Sequence, residues 1–346
     1  HFVDYLNTLH NLTPANENAL AESQALSPFF NSVQINVPIA EIIKENLLGS
    51  DGTHVILTGH AGDGKSTIAL QLFKELRGLP MNEPLREALR DREEVALGSG
   101  LTIHIVKDMS ELRSSDRLDS LEMATLERNG TERWLIISNT GALVATFDRL
   151  AERLGLNQQD LETELLEVLE KPEPQFIGIS GARFMIVNLA RVDNVNSGVQ
   201  LFEKLIQSEH WNVCHGCEAS DGCPIFLNIK MMRESSVIVD RVRAVYRYLY
   251  DYGKKLTMRQ VTSHLAYSLT SGLDCEESRG LAKKLSVRNL DRFLFYNRFF
   301  GYGGSFPDDR SIQITAIELL MPLQMGSRPF PELERNLYIG DQPLKI

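Results

Sequence analysis

No apolar run in these 346 residues approaches the ~20 that a membrane-spanning helix needs. No secretory signal is visible at the start; the chain opens with His1-Phe2 rather than Met, as a fragment would. A cytoplasmic protein that does not enter a membrane is the expectation. Basic residues are the minority, 36 Lys and Arg against 46 Asp and Glu, for a net charge of −10. That balance excludes a strongly basic stand-alone DNA-binding domain, while leaving room for local basic patches or for DNA contact through partners. Cysteine is scarce: Cys214, Cys217, Cys223 and Cys275 are the only four. They are too few for a disulfide framework at this length, which leaves metal binding or free thiols. Internal repeats and low-complexity tracts are absent.

What is present is ordinary globular material, 43% hydrophobic and 24% charged, long enough that two domains are expected. One motif stands out. Residues 59–66 read Gly59-His60-Ala61-Gly62-Asp63-Gly64-Lys65-Ser66, which is G-x-x-x-x-G-K-[ST]. Gly59, Gly62 and Gly64 permit a tight turn whose N–H groups face a phosphate. Lys65 supplies a mobile positive charge for the β- and γ-phosphates, and Ser66 offers a hydroxyl to Mg²⁺. The apolar run His54–Thr58 precedes the loop, as a buried parallel strand should. Thr67 continues into a helical pattern carried by Ile68, Leu72, Phe73 and Leu76, ended by Gly78 and Pro80. The helix N-terminus adds positive potential to the same place.

Strands are expected at 101–108, 134–139 and 184–189, with helices at 38–48, 142–154 and 161–169; no strand is evident in 79–100. Strands alternating with helices imply a parallel sheet covered on both faces. After residue 197 the patterning turns helical, at 199–209, 225–233, 237–252, 257–269, 277–285 and 289–300, with a last candidate at 312–321. The expected division is therefore 1–197, a P-loop core with an N-terminal helical extension, and 198–346, a helical lid-like domain with a cysteine loop.

Candidate catalytic groups follow from strand ends, where ligands of open α/β sheets bind. Asp108 ends its strand and is a candidate Mg²⁺ ligand, with a helix cap as the alternative. Glu111 is a candidate for polarising the attacking water, although it does not follow the Asp directly. Asn139 can orient water or sense the γ-phosphate, unless it is only a turn residue. Among Arg191, Arg241, Arg243 and Arg259, the last stands at the start of a helix where a lid residue could reach nucleotide. Cys214-His215-Gly216-Cys217 and Cys223 form C-x₂-C-x₅-C, which could hold a structural Zn²⁺ if Cys275, His210 or His215 supplied the fourth ligand; buried free thiols are the alternative.

The order of these segments resembles an AAA+-type ATPase. More narrowly, four segments together resemble the DptF-type ATPase of DNA phosphorothioation-dependent restriction systems, over about residues 54–304. They are the 59–66 loop, the cysteine loop with Cys223-Pro224-Ile225, Leu256-Thr257-Met258-Arg259, and Phe295-Tyr296-Asn297-Arg298-Phe299-Phe300-Gly301. The resemblance implies an α/β P-loop fold with a helical domain, ATP and Mg²⁺ as substrate and cofactor, and an ATP-hydrolysing role in bacterial defence. Partners would be the other subunits of a restriction complex, with double-stranded DNA met through that complex, and a homo-oligomer is possible. It carries over residues 59–66 well, and Asp108, Asn139 and Arg259 by position. No paired acidic nuclease cluster occurs, in keeping with an ATPase rather than a nuclease subunit. Two other readings stand beside it: an AAA+/STAND-type switch on protein partners, and a nucleotide-binding module without turnover. A P-loop kinase lacks an evident acceptor-substrate signature.

Overall fold

The computed structural model describes residues 1–10, 26–284, 287–302 and 311–323. The chain divides into two compact units, residues 36–192 and residues 1–35 with 193–346.

The first unit is built on one six-stranded sheet. Its strands are β1 (Thr53–Gly59), β2 (Arg92–Ala96), β3 (Thr102–Val106), β4 (Glu132–Asn139), β5 (Gln175–Ile179) and β6 (Ala182–Asn188), in the spatial order β2-β3-β4-β1-β6-β5. The four central strands run parallel, and β2 and β5 close the two edges antiparallel. The fold is thus α/β with a mixed, mostly parallel sheet rather than the wholly parallel one expected. The edge strands explain the difference. β2 reads Arg-Glu-Glu-Val-Ala with only Val95 buried, so it carries no apolar run. β5 returns into β6 through Ser180-Gly181, both at positive φ (48° and 89°), the backbone of a tight two-residue hairpin.

Helices cover both faces. The α3 helix (Pro38–Leu48) and α4 (Lys65–Arg77) place Ala40, Ile43, Leu47, Ile68, Ala69 and Leu72 against Val55, Leu57, Leu135 and Ile137. On the other face, α5 (Ser114–Leu126), α6 (Thr140–Leu154) and α7 (Gln158–Leu169) bring Leu121, Leu143, Phe147, Leu150 and Leu165 against Ile56, Val106, Ile136 and Ile186. The strand alternation is the period-2 pleat, with both faces apolar because both are covered. The α5 helix falls in a stretch for which no helix was expected from sequence.

The second unit is helical. It contains α1 (Phe2–Thr8), α2 (Phe30–Val33), α8 (Val195–Gln207), α9 (Pro224–Glu234), α10 (Ile238–Asp251), α11 (Met258–Thr270), α12 (Cys275–Lys284), α13 (Phe295–Arg298) and α14 (Thr315–Leu320). The stretch expected as one helix at 289–300 is a 3₁₀ segment, Val287–Phe293, followed by the short α13. The expected division at 197/198 is corrected in two ways. The break falls at 192/193, and residues 1–35 join the helical unit instead of extending the P-loop core. The reason is aromatic and polar anchoring. Phe2 packs on Phe29, His210 and Trp211 at ring separations of 5.4, 5.0 and 5.0 Å. Asn7 donates to the Leu273 carbonyl at 2.9 Å and accepts from Thr270 Oγ1 at 2.7 Å. Inside this unit α8 crosses close to α10 and α11 because Gly198 has no side chain; a Cβ there would lie 2.9 Å from Val261 Cγ1.

Candidate functional site

The carboxyl ends of the four parallel strands bring the sequence-predicted groups of the first unit to one edge. In register, Gly59 of β1 lies beside Asn139 of β4, and Thr58 beside both Ser138 and Asn188 of β6. Val106 of β3 pairs with Ile136, so Asp108, two residues further on, follows β3 off the same edge. Residues Gly59–Ser66 join β1 to α4 here, with Gly62 and Gly64 at φ 88° and 95°, backbone that glycine adopts without penalty. Gly59 is required for space as well. A Cβ at that position would meet Asp63 Oδ2 at 2.9 Å, the Ala190 nitrogen at 3.1 Å and Leu189 Cβ at 3.3 Å.

Lys65 is the centre of the arrangement. Its side chain is buried, and Nζ donates to the carbonyl oxygens of Gly59 (3.0 Å) and His60 (2.8 Å) and to Asn139 Oδ1 (2.9 Å). A buried ammonium needs such oxygen partners to offset desolvation. Asn139 thereby acquires a task that its sequence position did not announce: its oxygen positions the lysine from the neighbouring strand. Asp63 is turned inward, 5% exposed, and its Oδ2 accepts the His60 N–H at 2.7 Å. The loop's own carboxylate is in this way spent on bracing the turn. His60 projects outward, with Nδ1 3.7 Å from Asp63 Oδ2 and its side chain 77% exposed. Ala61 is exposed, and Ser66 and Thr67 are partly exposed in the first turn of α4.

Asp108 is partly exposed and caps the 3₁₀ turn Met109–Glu111, its Oδ1 accepting the Ser110 N–H at 2.8 Å. The capping alternative from sequence is therefore realised by one carboxylate oxygen. Ser110 then accepts the Asn139 N–H on its Oγ at 2.8 Å. This hydroxyl ties the end of β3 to the end of β4 and was missed from sequence; an Asp-x-Ser step after a strand is the available signal. Across the next strand pair, the hydroxyls of Thr58 and Thr140 lie 3.2 Å apart. Glu111 is exposed, while Met109, in the position beside Asp108, is fully buried. Arg191 reaches Glu170 at 3.4 Å, and Arg243 reaches Asp240 at 2.5 Å. Arg259 is exposed in the first turn of α11 and belongs to the helical unit, not to the unit that carries the loop.

The loop and its surroundings fit a phosphate-bearing substrate: a tight glycine turn, a helix N-terminus and a lysine held by exchangeable oxygen contacts. Ser66 lies in the first turn of α4 and Asp108 just past the end of β3, and a hydrated Mg²⁺ asks for only one or two protein oxygens, completing its shell with water and phosphate. No group of three or more His, Cys, Asp or Glu side chains able to hold a metal occurs among the described residues.

Cys214, Cys217, Cys223 and Cys275, the residues of the zinc expectation, do not form such a group among the described residues. All four are partly buried free thiols. Burial, reinforced by the neighbouring Cys223, Cys275 and Cys217, pushes the Cys214 thiol up to about 11. Burial likewise raises Cys223 and Cys275, whereas the Ala219 main chain and Arg279 lower Cys217. The thiols share a neighbourhood without forming a ligand set. The two histidines offered as alternatives are engaged in packing, His210 on Phe29 at 4.9 Å and His215 on Phe226 at 5.0 Å. No protein-family model, curated protein or solved structure matches this chain.

Proposed function

We propose that this chain is a P-loop ATPase of AAA+-like build, acting as the ATP-hydrolysing subunit of a DNA phosphorothioation-dependent restriction complex. The observation that carries the ATPase reading is the posture of Lys65, buried and shared by Gly59, His60 and Asn139 at the mouth of a glycine loop. A lysine so placed is poised to exchange carbonyl partners for phosphate oxygens, a trade of neutral acceptors for anionic ones that strengthens each bond. The spatial order supports the same reading. Asn139 ends the strand next to β1, and Asp108 follows the strand beyond it, so a carboxylate and an amide leave the sheet at the same edge as the loop. The restriction role rests on the sequence resemblance alone.

In this reading the loop N–H groups and Lys65 bind and orient the β- and γ-phosphates. Ser66 and Asp108 hold Mg²⁺, which when bound neutralises charge on those phosphates. Asn139 keeps Lys65 in place between turnovers and Ser110 keeps Asn139 in place. Glu111 is the acid available to orient water, and Arg259 a charge that a lid could bring to the γ-phosphate. Because Met109 and not a carboxylate stands beside Asp108, turnover by the chain alone is expected to be slow and to rise when a partner completes the site. That feature also favours the second reading, a nucleotide-dependent switch with little turnover.

The test is ATP hydrolysis by the purified chain with and without double-stranded DNA, against Lys65→Ala. Lys65-dependent turnover establishes the site, and its stimulation by DNA supports the restriction role. Turnover indifferent to DNA moves the reading to a protein-directed ATPase, and hydrolysis unchanged in Lys65→Ala removes the site assignment.

A further inference from the structure

A second concavity lies in the sheet-bearing unit away from the loop, a groove of about 730 Å³ between the β2 edge and the end of α5. Its floor is a cross-strand row. Glu94 of β2 pairs with His104 of β3, which pairs with Trp134 of β4. The His104 and Trp134 rings are stacked at 4.4 Å and 20°. One wall is apolar and open, Met123 at 55% and Leu126 at 51% exposure. These two lie on the side of α5 opposite Leu121 and Ala124, which are buried against the sheet. The rest of the lining is strongly one-signed. Glu93, Glu94, Glu122, Glu127 and Glu132 line the groove against Arg92 and Arg128.

Both arginines are already engaged. Arg92 donates to the Asp116 carbonyl and Ser120 Oγ, each at 2.7 Å. Arg128 donates to the carbonyls of Thr125, Glu127 and Ser180. Glu94 and Glu132 stand at either end of the His104 ring, 3.6 Å from Nδ1 and 3.3 Å from Nε2, with the second off the line of a hydrogen bond. Trp134 is 5% exposed, and its Nε1–H has no hydrogen-bond partner among the described residues. A buried N–H left unmatched costs about 1–3 kcal/mol, so an incoming acceptor is rewarded there.

We propose that this groove docks an arginine-bearing segment of a partner protein. Charge complementarity selects the occupant. A flat guanidinium fits between the Glu94 and Glu132 carboxylates beside a flat aromatic pair, a peptide carbonyl answers the Trp134 N–H, and an aliphatic neighbour covers Met123 and Leu126. A nucleotide could stack its base on the aromatic floor, but its phosphates would meet five carboxylates lining the groove. The site is independent of the nucleotide reading and shares no residue with the loop.

The probe is the peptide acetyl-Leu-Arg-Leu-amide, titrated into the full chain by calorimetry and followed by tryptophan fluorescence. Trp134 and Trp211 are the two tryptophans, and Trp211 is 1% exposed with its Nε1 donating to the Leu205 carbonyl, so a spectral change reports the groove. Binding is expected to weaken about tenfold in Glu94→Gln/Glu132→Gln, and about tenfold when citrulline replaces the peptide arginine. The control Glu164→Gln/Glu167→Gln, two exposed carboxylates on α7, removes the same charge elsewhere and should leave affinity within about twofold. Equal loss in both double variants would mean general attraction to an acidic protein and overturns the proposal. So does citrulline peptide binding as well as arginine peptide, or an absence of heat and spectral change at millimolar peptide. The exposed Gln variants are checked for an unchanged circular dichroism spectrum, and Trp134→Phe, which keeps the apolar ring and removes the N–H, should abolish the fluorescence response while weakening binding severalfold.

Discussion

At the scale of single residues, Lys65, Asn139, Ser110 and Asp63 divide the work of the site. Lys65 supplies the charge, and removing it should lower ATP turnover by a factor of about 10² or more, since one positioned charge at transferring phosphoryl oxygens is worth several kcal/mol. Asn139→Ala removes the lysine's side-chain acceptor and leaves its two carbonyls. Its expected result is a smaller loss, about tenfold, read as a fall in kcat in steady-state hydrolysis. Asp63→Ala frees the His60 N–H and loosens the turn, so KM for ATP should rise severalfold while the fold, followed by circular dichroism, is retained. The loop lysine could be named from the chain because its spacing to the glycines is local. Ser110 could not, because its task is defined by a β4 main-chain N–H 29 positions away in the chain.

At the scale of elements, local chemistry and long-range packing part company. The α11 start is a full capping box: Thr257 Oγ1 accepts from the Gln260 N–H and Gln260 returns to the Thr257 N–H. Thr257→Ala should therefore cost about 1 kcal/mol, seen as a lower urea midpoint. Gly198 is different, because its neighbours come from other helices. Gly198→Val would force a side chain into Val261 and Tyr246 and should destabilise by about 1–3 kcal/mol or more, measured in the same assay. The strands legible in the chain were the central ones, whose two buried faces give unbroken apolar runs. The edge strands β2 and β5 were missed because an edge strand needs only one apolar face, and β2 has a single buried residue.

At the scale of the whole molecule, three histidines couple stability to pH. His54 lies in the sheet-bearing unit and His10 and His264 in the helical one. Burial lowers all three to about 4 from an ordinary 6.5. For His54 and His264 the geometry agrees. His54 Nδ1 accepts the main-chain N–H of Trp134 at 3.2 Å and cannot do so once protonated. His264 sits in a closed set with Tyr246 OH at 2.9 Å and the Phe299 carbonyl at 2.8 Å. The unfolded chain binds these protons below pH 6.5 and the folded chain resists them until about 4. Stability is thus fully present above pH 6.5 and falls as pH drops toward 4, at up to about 1.4 kcal/mol per unit for each histidine. Urea midpoints at pH 7 and pH 5 check this. His264→Gln should flatten the slope relative to its own lower starting stability; an unaltered slope would count against the buried-histidine account.

By itself the chain determined what depends on near neighbours: the glycine loop and its lysine, the central strands, the helical character after residue 197 and the helix start at Thr257. Spacing and period are local properties, and a short window holds all the information they need. Only the tertiary structure decided which strand lies beside which, and so which polar groups meet. It placed Asn139 on Lys65 and Ser110 on Asn139. It joined residues 1–35 to the helical unit, gathered four thiols without making them a ligand set, and opened a groove over Trp134. Each of these is a contact between segments remote in the chain, whose free energy is spread over many small packing and hydrogen-bond terms and leaves no pattern in any one of them.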